Sequence, residues 1–257
     1  MRAPDELRAL AEAYLAELAL TPELSGLEES LRYALDGGGK RIRPVLVLAT
    51  AEAAGAAAED ALPAAAALEL VHTFSLVHDD LPCMDDDAER RGRPSTWARF
   101  GEATALLAGD ALLAEAFRLA LAYPTPHAAR ELADATLGMI GGQYLDIGAD
   151  GSADLAELHR LKTGRLFAAA IGLGLWVAGV PEGEQAPWRA FSEELGLLFQ
   201  VVDDVLDGDG YVLRLGEEGA RVLAAEAAAR ARQRLAEVDA DTSVLVEIVD
   251  QLAVRTA

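Results

Sequence analysis

Cysteine is almost missing from this 257-residue chain: Cys83 stands alone, so no intrachain disulfide can form. That is compatible with a reducing compartment, and a cytoplasmic location is expected. Aromatic residues are scarce at 5 %, and runs of β-branched residues are few. No segment alternates apolar and polar residues between turn signals over a strand's length, which argues against a sheet. Positive charge is also short: 22 basic against 43 acidic side chains leave a formal net charge of −21. So acidic a chain is a poor partner for nucleic acid or anionic lipid, and neither is expected. Met1 to Glu6 offer no apolar core of the signal-peptide kind. The longest uncharged apolar run, Leu166 to Val180, is Gly-rich and shorter than the roughly 20 residues of a spanning helix. It reads as a buried helix, and no membrane span is expected. Linkers, low-complexity tails and short-period repeats are also lacking.

What is present is apolar and small. Hydrophobic residues make up 52 %, dominated by Ala and Leu, a composition that favours close-packed helices. The expectation is an all-α protein, one domain over residues 1–257, with about ten helices and no strands. Leu7, Leu10, Ala11, Tyr14 and Leu18 repeat at helical spacing after Pro4. A second helix is predicted over about Leu24–Leu35, stopped by Gly37-Gly38-Gly39. Pro44 can open the next, and Pro63 reads as the start of another that leads into an acidic run. Further helices are predicted over Gly101–Tyr123, His127–Asp146, from an Asp154 cap, after Pro187, and over Glu217–Val238 and Ser243–Arg255.

That acidic run, Val77 to Asp87, holds five Asp in eleven residues. Carboxylates so crowded repel unless a cation sits among them, and Mg²⁺ takes one or two carboxylates plus substrate phosphates. Arg90, Arg91 and Arg93 follow closely, which suits a metal-bridged phosphate; the plainer reading is a solvated acidic loop. Asp79 and Asp85 are six apart and fall on different faces of an ideal helix. With Pro82 disfavouring a regular helix, a two-residue bulge would realign them. A second cluster, Phe199-Gln200-Val201-Val202-Asp203-Asp204-Val205-Leu206-Asp207, places Gln200, Asp203 and Asp207 on one face. Ahead of both, Gly38-Gly39-Lys40-Arg41-Ile42-Arg43 can grip a phosphate through backbone N–H groups and cations, though such a loop is also common on surfaces. His72, Ser75 and Asp79 form one helical stripe, and Phe74 lies about 7 Å below Asp79 along the axis.

Together these stretches, with Arg90-Arg91-Gly92-Arg93-Pro94 and Leu161-Lys162-Thr163-Gly164, resemble the trans-isoprenyl diphosphate synthase family over nearly the whole chain. The resemblance implies a helical bundle around a central cavity. It implies a Mg²⁺-dependent prenyltransferase that joins isopentenyl diphosphate to dimethylallyl or geranyl diphosphate by ionisation, condensation and elimination. It implies metal ligation by Asp79, Asp85, Asp203 and Asp207, with three Mg²⁺ ions around bound diphosphate, and supporting roles for Asp80 and Asp204. Arg90, Lys162, Thr163 and Gln200 would hold the allylic substrate. Gly39, Lys40, Arg43, His72 and Arg91 would hold isopentenyl diphosphate. A homodimer is implied too. In that family a bulky residue just before the first motif limits product length, so Phe74, followed by small Ser75, points to farnesyl diphosphate. Geranyl or geranylgeranyl products are the alternatives. One feature departs from the family: no lysine occurs after Lys162, and Asp207 to Gly216 runs almost directly into the next helix. A weakened closure over the diphosphate, or a non-catalytic diphosphate-binding subunit, would follow from that. A terpene cyclase or squalene-type synthase would need no Lys40/Arg43/His72/Arg91 set.

Overall fold

The computed structural model describes residues 1–148 and 154–256. Ten helices of eight residues or more carry the fold: α1 (Pro4–Glu17), α2 (Glu28–Leu35), α3 (Ile42–Ala53), α4 (Ala58–Asp79), α6 (Glu102–Ala120), α7 (His127–Gly148), α9 (Arg165–Val177), α10 (Ala186–Asp207), α11 (Gly210–Ala236) and α12 (Ser243–Ala253). Two five-residue helices, α5 (Thr96–Phe100) and α8 (Leu155–His159), complete the set among the described residues. The expected all-α bundle is what forms.

Composition dictates how it packs. Pro44 to Ala51 of α3 are all buried, as is nearly all of Leu166 to Leu175 in α9. Helices apolar on every side belong at the centre. There α3, α4 and α9 pack on one another, while α6 covers α4, α7 covers α9, and α10 lies between α9 and α11. Small residues let the axes approach: a Cβ on Gly174 of α9 would stand 2.7 Å from the Val47 carbonyl of α3. One apolar cluster runs from Leu7 to Leu252. By length and composition α4 could cross a membrane, but 67 % of its apolar window is buried inside the protein.

Three features differ from the expectations. Pro63 does not start a helix; it sits inside α4. The break it makes in the helical ladder is filled by the Tyr123 hydroxyl, which accepts from the Ala64 N–H (3.1 Å) and donates to the Asp60 carbonyl (2.8 Å). The second difference is a two-stranded hairpin, β1 (Glu89–Arg90) and β2 (Arg93–Pro94), where no strand was expected. Arg91 and Gly92 at its tip both have positive φ, 54° and 77°, as a type I′ turn requires. The third lies after α10. The helix following Asp207 begins at Gly210, not Glu217, and breaks at Gly216, where φ is 74° and ψ 162°.

Candidate functional site

The first acidic motif ends α4. The Asp85 N–H donates to the Asp79 carbonyl at 2.9 Å, six residues back where a helix would use four. This is the two-residue bulge that the spacing called for. Asp80, 2 % exposed, turns away from the cavity and takes the Arg90 guanidinium, with Nε at 2.7 and 2.9 Å from its two oxygens. It anchors an arginine and is not open to a metal.

The hairpin sends its three arginines in three directions. Arg90 goes to Asp80. Arg91 donates to the Gly38 carbonyl, fastening the turn to the glycine loop. Arg93 donates to the Tyr33 carbonyl of α2 and stacks on that ring at 4.0 Å. Gly39 sits under Arg91, whose Nη1 would lie 2.8 Å from a Cβ there, so any side chain at this position would push the guanidinium out.

Two adjoining cavities result. The first, about 370 Å³, is lined by Gly39, Lys40, Arg43, His72, Arg91, Thr163 and Asp203, among others. The second, about 240 Å³, has Asp79, Lys162 and Thr163 in its wall together with Phe74, Ser75, His78, Met84, Met139, Ile140, Gln143 and Leu166. Arg43, His72 and Thr163 line both. One is ringed by cations; the other grades from charged groups to an apolar wall. The chain's two lysines, Lys40 and Lys162, are divided between them.

Burial sets the charge states. Arg43 lies over the Phe167 ring at 5.0 Å and near Phe199 at 5.9 Å, and desolvation brings its pKa down to about 10, still cationic at neutral pH. Desolvation, then the neighbouring Arg43, Arg91, Arg41 and Arg90, holds His72 well below the usual imidazole range. His72 is therefore neutral among guanidinium groups. Burial pushes Asp79 up to about 6, opposed by Lys162 and reinforced by Asp85. Asp203, at the mouth of the first cavity, is raised by partial desolvation and then by Asp207.

Among the described residues no three His, Cys, Asp or Glu side chains converge closely enough to hold a metal ion by themselves. The expected set is split: Asp79 lines the 240 Å³ cavity and Asp203 the 370 Å³ one, while Asp85 and Asp207 are exposed and line neither. These are hard oxygen donors, and the raised Asp79 and Asp203 lack a full counter-charge. They fit a hard divalent cation that takes its remaining oxygens from a diphosphate and water.

Asp204 is placed differently from Asp203. It is 2 % exposed and accepts from Gln200 Nε2 (2.7 Å) and the Tyr211 N–H (2.8 Å). It thus ties the end of α10 to the first turn of α11. Gln200 in turn accepts from Thr163 Oγ1 at 2.8 Å, so two expected substrate contacts touch each other. Lys162 pairs with Asp146 of α7. It lies on a single π-helical turn, Arg160–Gly164, packed against α7 where a Cβ on Gly142 would meet the Lys162 N at 2.4 Å. Glu69, which sequence reasoning passed over, is buried beside the first cavity, pairs with Arg41, and offsets the charge of Arg43 and Arg91. It lies three residues before His72 on the same stripe, a signal that was there to read. Gln143 and Asp146 were equally legible as one face of α7.

The same folded shape recurs in known proteins. An FPP/GFPP synthase from Zymomonas mobilis is 33 % identical, with a TM-score of 0.87 and 97 % of each chain covered. The farnesyl diphosphate synthase of Bacillus subtilis (strain 168) is 40 % identical over 205 residues, 74 % of this chain and 69 % of the relative. The geranylgeranyl diphosphate synthase of Cyanophora paradoxa is 44 % identical over 194 residues, 70 % of this chain but 64 % of the relative's length. A sequence model of the family described as Polyprenyl synthetase matches residues 25–241, a span that contains both acidic motifs, the glycine loop and both cavities' polar walls. Paired acidic helix ends over two joined cavities, and a match of that length, make this chain a member of the polyprenyl synthetase family.

Proposed function

We propose that the protein condenses isopentenyl diphosphate with dimethylallyl or geranyl diphosphate, with Mg²⁺, and releases farnesyl diphosphate. The observation that carries this reading is the pair of cavities sharing Arg43, His72 and Thr163. Two diphosphates need two polar mouths, and two carbon chains that must react need one common wall.

In this reading the allylic diphosphate lies in the 240 Å³ cavity, its tail toward Phe74 and its head toward Lys162 and Thr163; Arg90, the other expected contact, lines neither cavity and is held by Asp80, so it would have to turn from that carboxylate to reach the diphosphate. Isopentenyl diphosphate lies in the 370 Å³ cavity on Lys40, Arg43, His72 and Arg91. Asp79, Asp85, Asp203 and Asp207 would hold Mg²⁺, which offsets charge on the leaving diphosphate. The allylic C–O bond breaks, and its electron pair leaves with diphosphate. The isopentenyl double bond attacks the cationic carbon, and a proton then passes to the departed diphosphate. Lys162 would stand where negative charge builds up. Leu166, Met139 and Met84 exclude water from the cation. The shared wall holds both reactants in contact, which removes much of the entropic barrier.

Fifteen carbons is favoured because Phe74, 7 % exposed, closes the apolar end with its ring edge-on to His78 at 5.2 Å. Incubation with both substrates and Mg²⁺, followed by chromatography, tests the proposal. A C15 diphosphate is expected; a C20 product would move the reading to geranylgeranyl diphosphate synthesis, and no elongation would overturn it.

A homodimer is part of the proposal. Leu137, Ile140, Tyr144 and Ile147 form a stripe on α7 at i, i+3, i+7 and i+10, and with Leu106 and Leu107 of α6 they are 46–75 % exposed. Contiguous apolar surface of this kind marks an interface.

A further inference from the structure

Glu69 is out of place in the 370 Å³ cavity: a hollow that is to receive a diphosphate has a carboxylate in its wall. Glu69 is 5 % exposed and lies on α4, three residues before His72. It repels the anion the cavity would bind, and burying its own charge is costly unless that charge is paired. Offsetting the guanidinium groups of Arg43 and Arg91 explains why the carboxylate is tolerated. It does not explain why one is there, since a neutral residue in place of one arginine would lower the same charge without a buried ion pair.

Its partner supplies the reason. Arg41 has left-handed backbone angles, φ 47° and ψ 32°, without being a glycine. A side chain is strained in that region, and such a residue persists only where its surroundings over-determine it. Here the surroundings are two acceptors. Glu69 takes the Arg41 Nη1, and the carbonyl of Leu35, the last residue of α2, takes Nη2. The Arg41 carbonyl meanwhile accepts from the Val45 N–H and opens α3. One residue thus clasps the end of α2, the start of α3 and the middle of α4, and the loop 36–40 is closed between them. That loop carries the groups the cavity needs. Gly39 and Lys40 line it, and the Gly38 carbonyl holds Arg91 of the hairpin, which lines it too. Without Glu69 the strained turn keeps only its contact to Leu35.

We infer that Glu69 is a positioning residue of the isopentenyl diphosphate site, acting through Arg41 to hold the glycine loop and Arg91 in the arrangement that receives the diphosphate. In this role it takes no proton and touches no reacting carbon. Because α4 also carries Asp79 and Phe74 in the wall of the allylic cavity, the tie sets the loop in register with the second substrate. A loop fixed beforehand meets its ordering cost during folding and not on binding. The inference rests on the proposed condensation and deepens it by naming what holds one of its two sites.

The test measures KM for isopentenyl and geranyl diphosphates, with Mg²⁺, in wild type, Glu69→Met, Glu69→Gln, Arg41→Met and the Glu69→Met/Arg41→Met double variant. Glu69→Met removes both the charge and the acceptor. It is expected to raise KM for isopentenyl diphosphate about tenfold or more and to leave KM for geranyl diphosphate within about twofold. Glu69→Gln still accepts from Arg41, so it should recover most of that loss although the charge is gone. Arg41→Met should match Glu69→Met, and the double variant should be no worse than either, since both break one link. If Glu69 acted by charge alone, the Met and Gln variants would behave alike and both would lower KM for isopentenyl diphosphate, which would overturn the inference. An unchanged KM in Glu69→Met beside a lowered Tm would overturn it too, by making the pair a folding element only. So would losses that multiply in the double variant, which would separate Glu69 from Arg41. Should Glu69→Met fail to fold, Arg41→Lys keeps a charge for Glu69 but has no fork to hold the Leu35 carbonyl as well. It should raise KM for isopentenyl diphosphate alone, and an unchanged value would overturn the inference. An active wild type with any of these contrary results removes this role alone, whereas an inactive wild type removes the condensation reading and this role with it.

Discussion

Burial raises the Asp79 carboxyl to about 6, and that sets how acid acts on the site. A carboxyl with a raised folded pKa holds its proton more tightly when folded. The stability this brings is fully present below the unfolded value of 3.8 and is lost as pH rises through about 6. Above that, folding carries an uncompensated carboxylate that a cation can relieve. Mg²⁺ with inorganic diphosphate should therefore raise Tm more at pH 7.5 than at pH 5. Asp79→Asn should remove most of that difference, which thermal unfolding at the two pH values would show; an unchanged difference would assign it to diphosphate protonation. Phe74 works by volume instead. Phe74→Ala should shift product from C15 toward C20, read by chromatography, and destabilise by about 3 kcal/mol, the low end for Phe→Ala because one side of the ring already borders a cavity.

Within the elements, Tyr123 does the most to let α4 carry a proline. Its hydroxyl bridges Asp60 and Ala64, and burial pushes its pKa up to about 12, so it stays a neutral donor and acceptor. Tyr123→Phe should cost about 1–2 kcal/mol by leaving the Ala64 N–H unpaired, measured by urea unfolding, with little change in KM. The same contact explains why no helix starts at Pro63. The rule that proline starts a helix is local, but its exception depends on a side chain 60 residues further on. The same division runs through the site. The bulge between Asp79 and Asp85 and the shared face of Gln200 and Asp203 were legible, because residue spacing along one segment determines them. The separate fates of Asp79 and Asp80, or of Asp203 and Asp204, were not. Adjacent residues on a helix point about 100° apart, and what each meets depends on another element: Arg90 on the hairpin, Tyr211 on α11. The hairpin itself was hidden because two-residue strands have no periodicity to read. The abrupt passage after Asp207 was visible as a short link, but not that Asp204 would cap the next helix and make that link helical.

For the molecule as a whole, the exposed stripe on α7 and the reaction cavity lie on two sides of one helix. Ile140 belongs to both, lining the 240 Å³ cavity while remaining 46 % exposed. The cavity wall is thus one helix thick at that point, and a second copy seated on the stripe would support it from outside. In a two-fold dimer each stripe residue acts twice, so one charge placed at its centre repels its own image. Leu137→Glu with Tyr144→Glu should convert the protein from a species of twice the 27.1 kDa chain mass to one of that mass, read by light scattering. Neither residue lines the 370 Å³ or the 240 Å³ cavity. If the partner does support the wall, the separated protein should also turn over more slowly and give a broader spread of product lengths, because Ile140 loses its backing. A wild type that is already monomeric would refute the dimer, and a monomeric variant with unchanged turnover and product would show that α7 holds the cavity unaided.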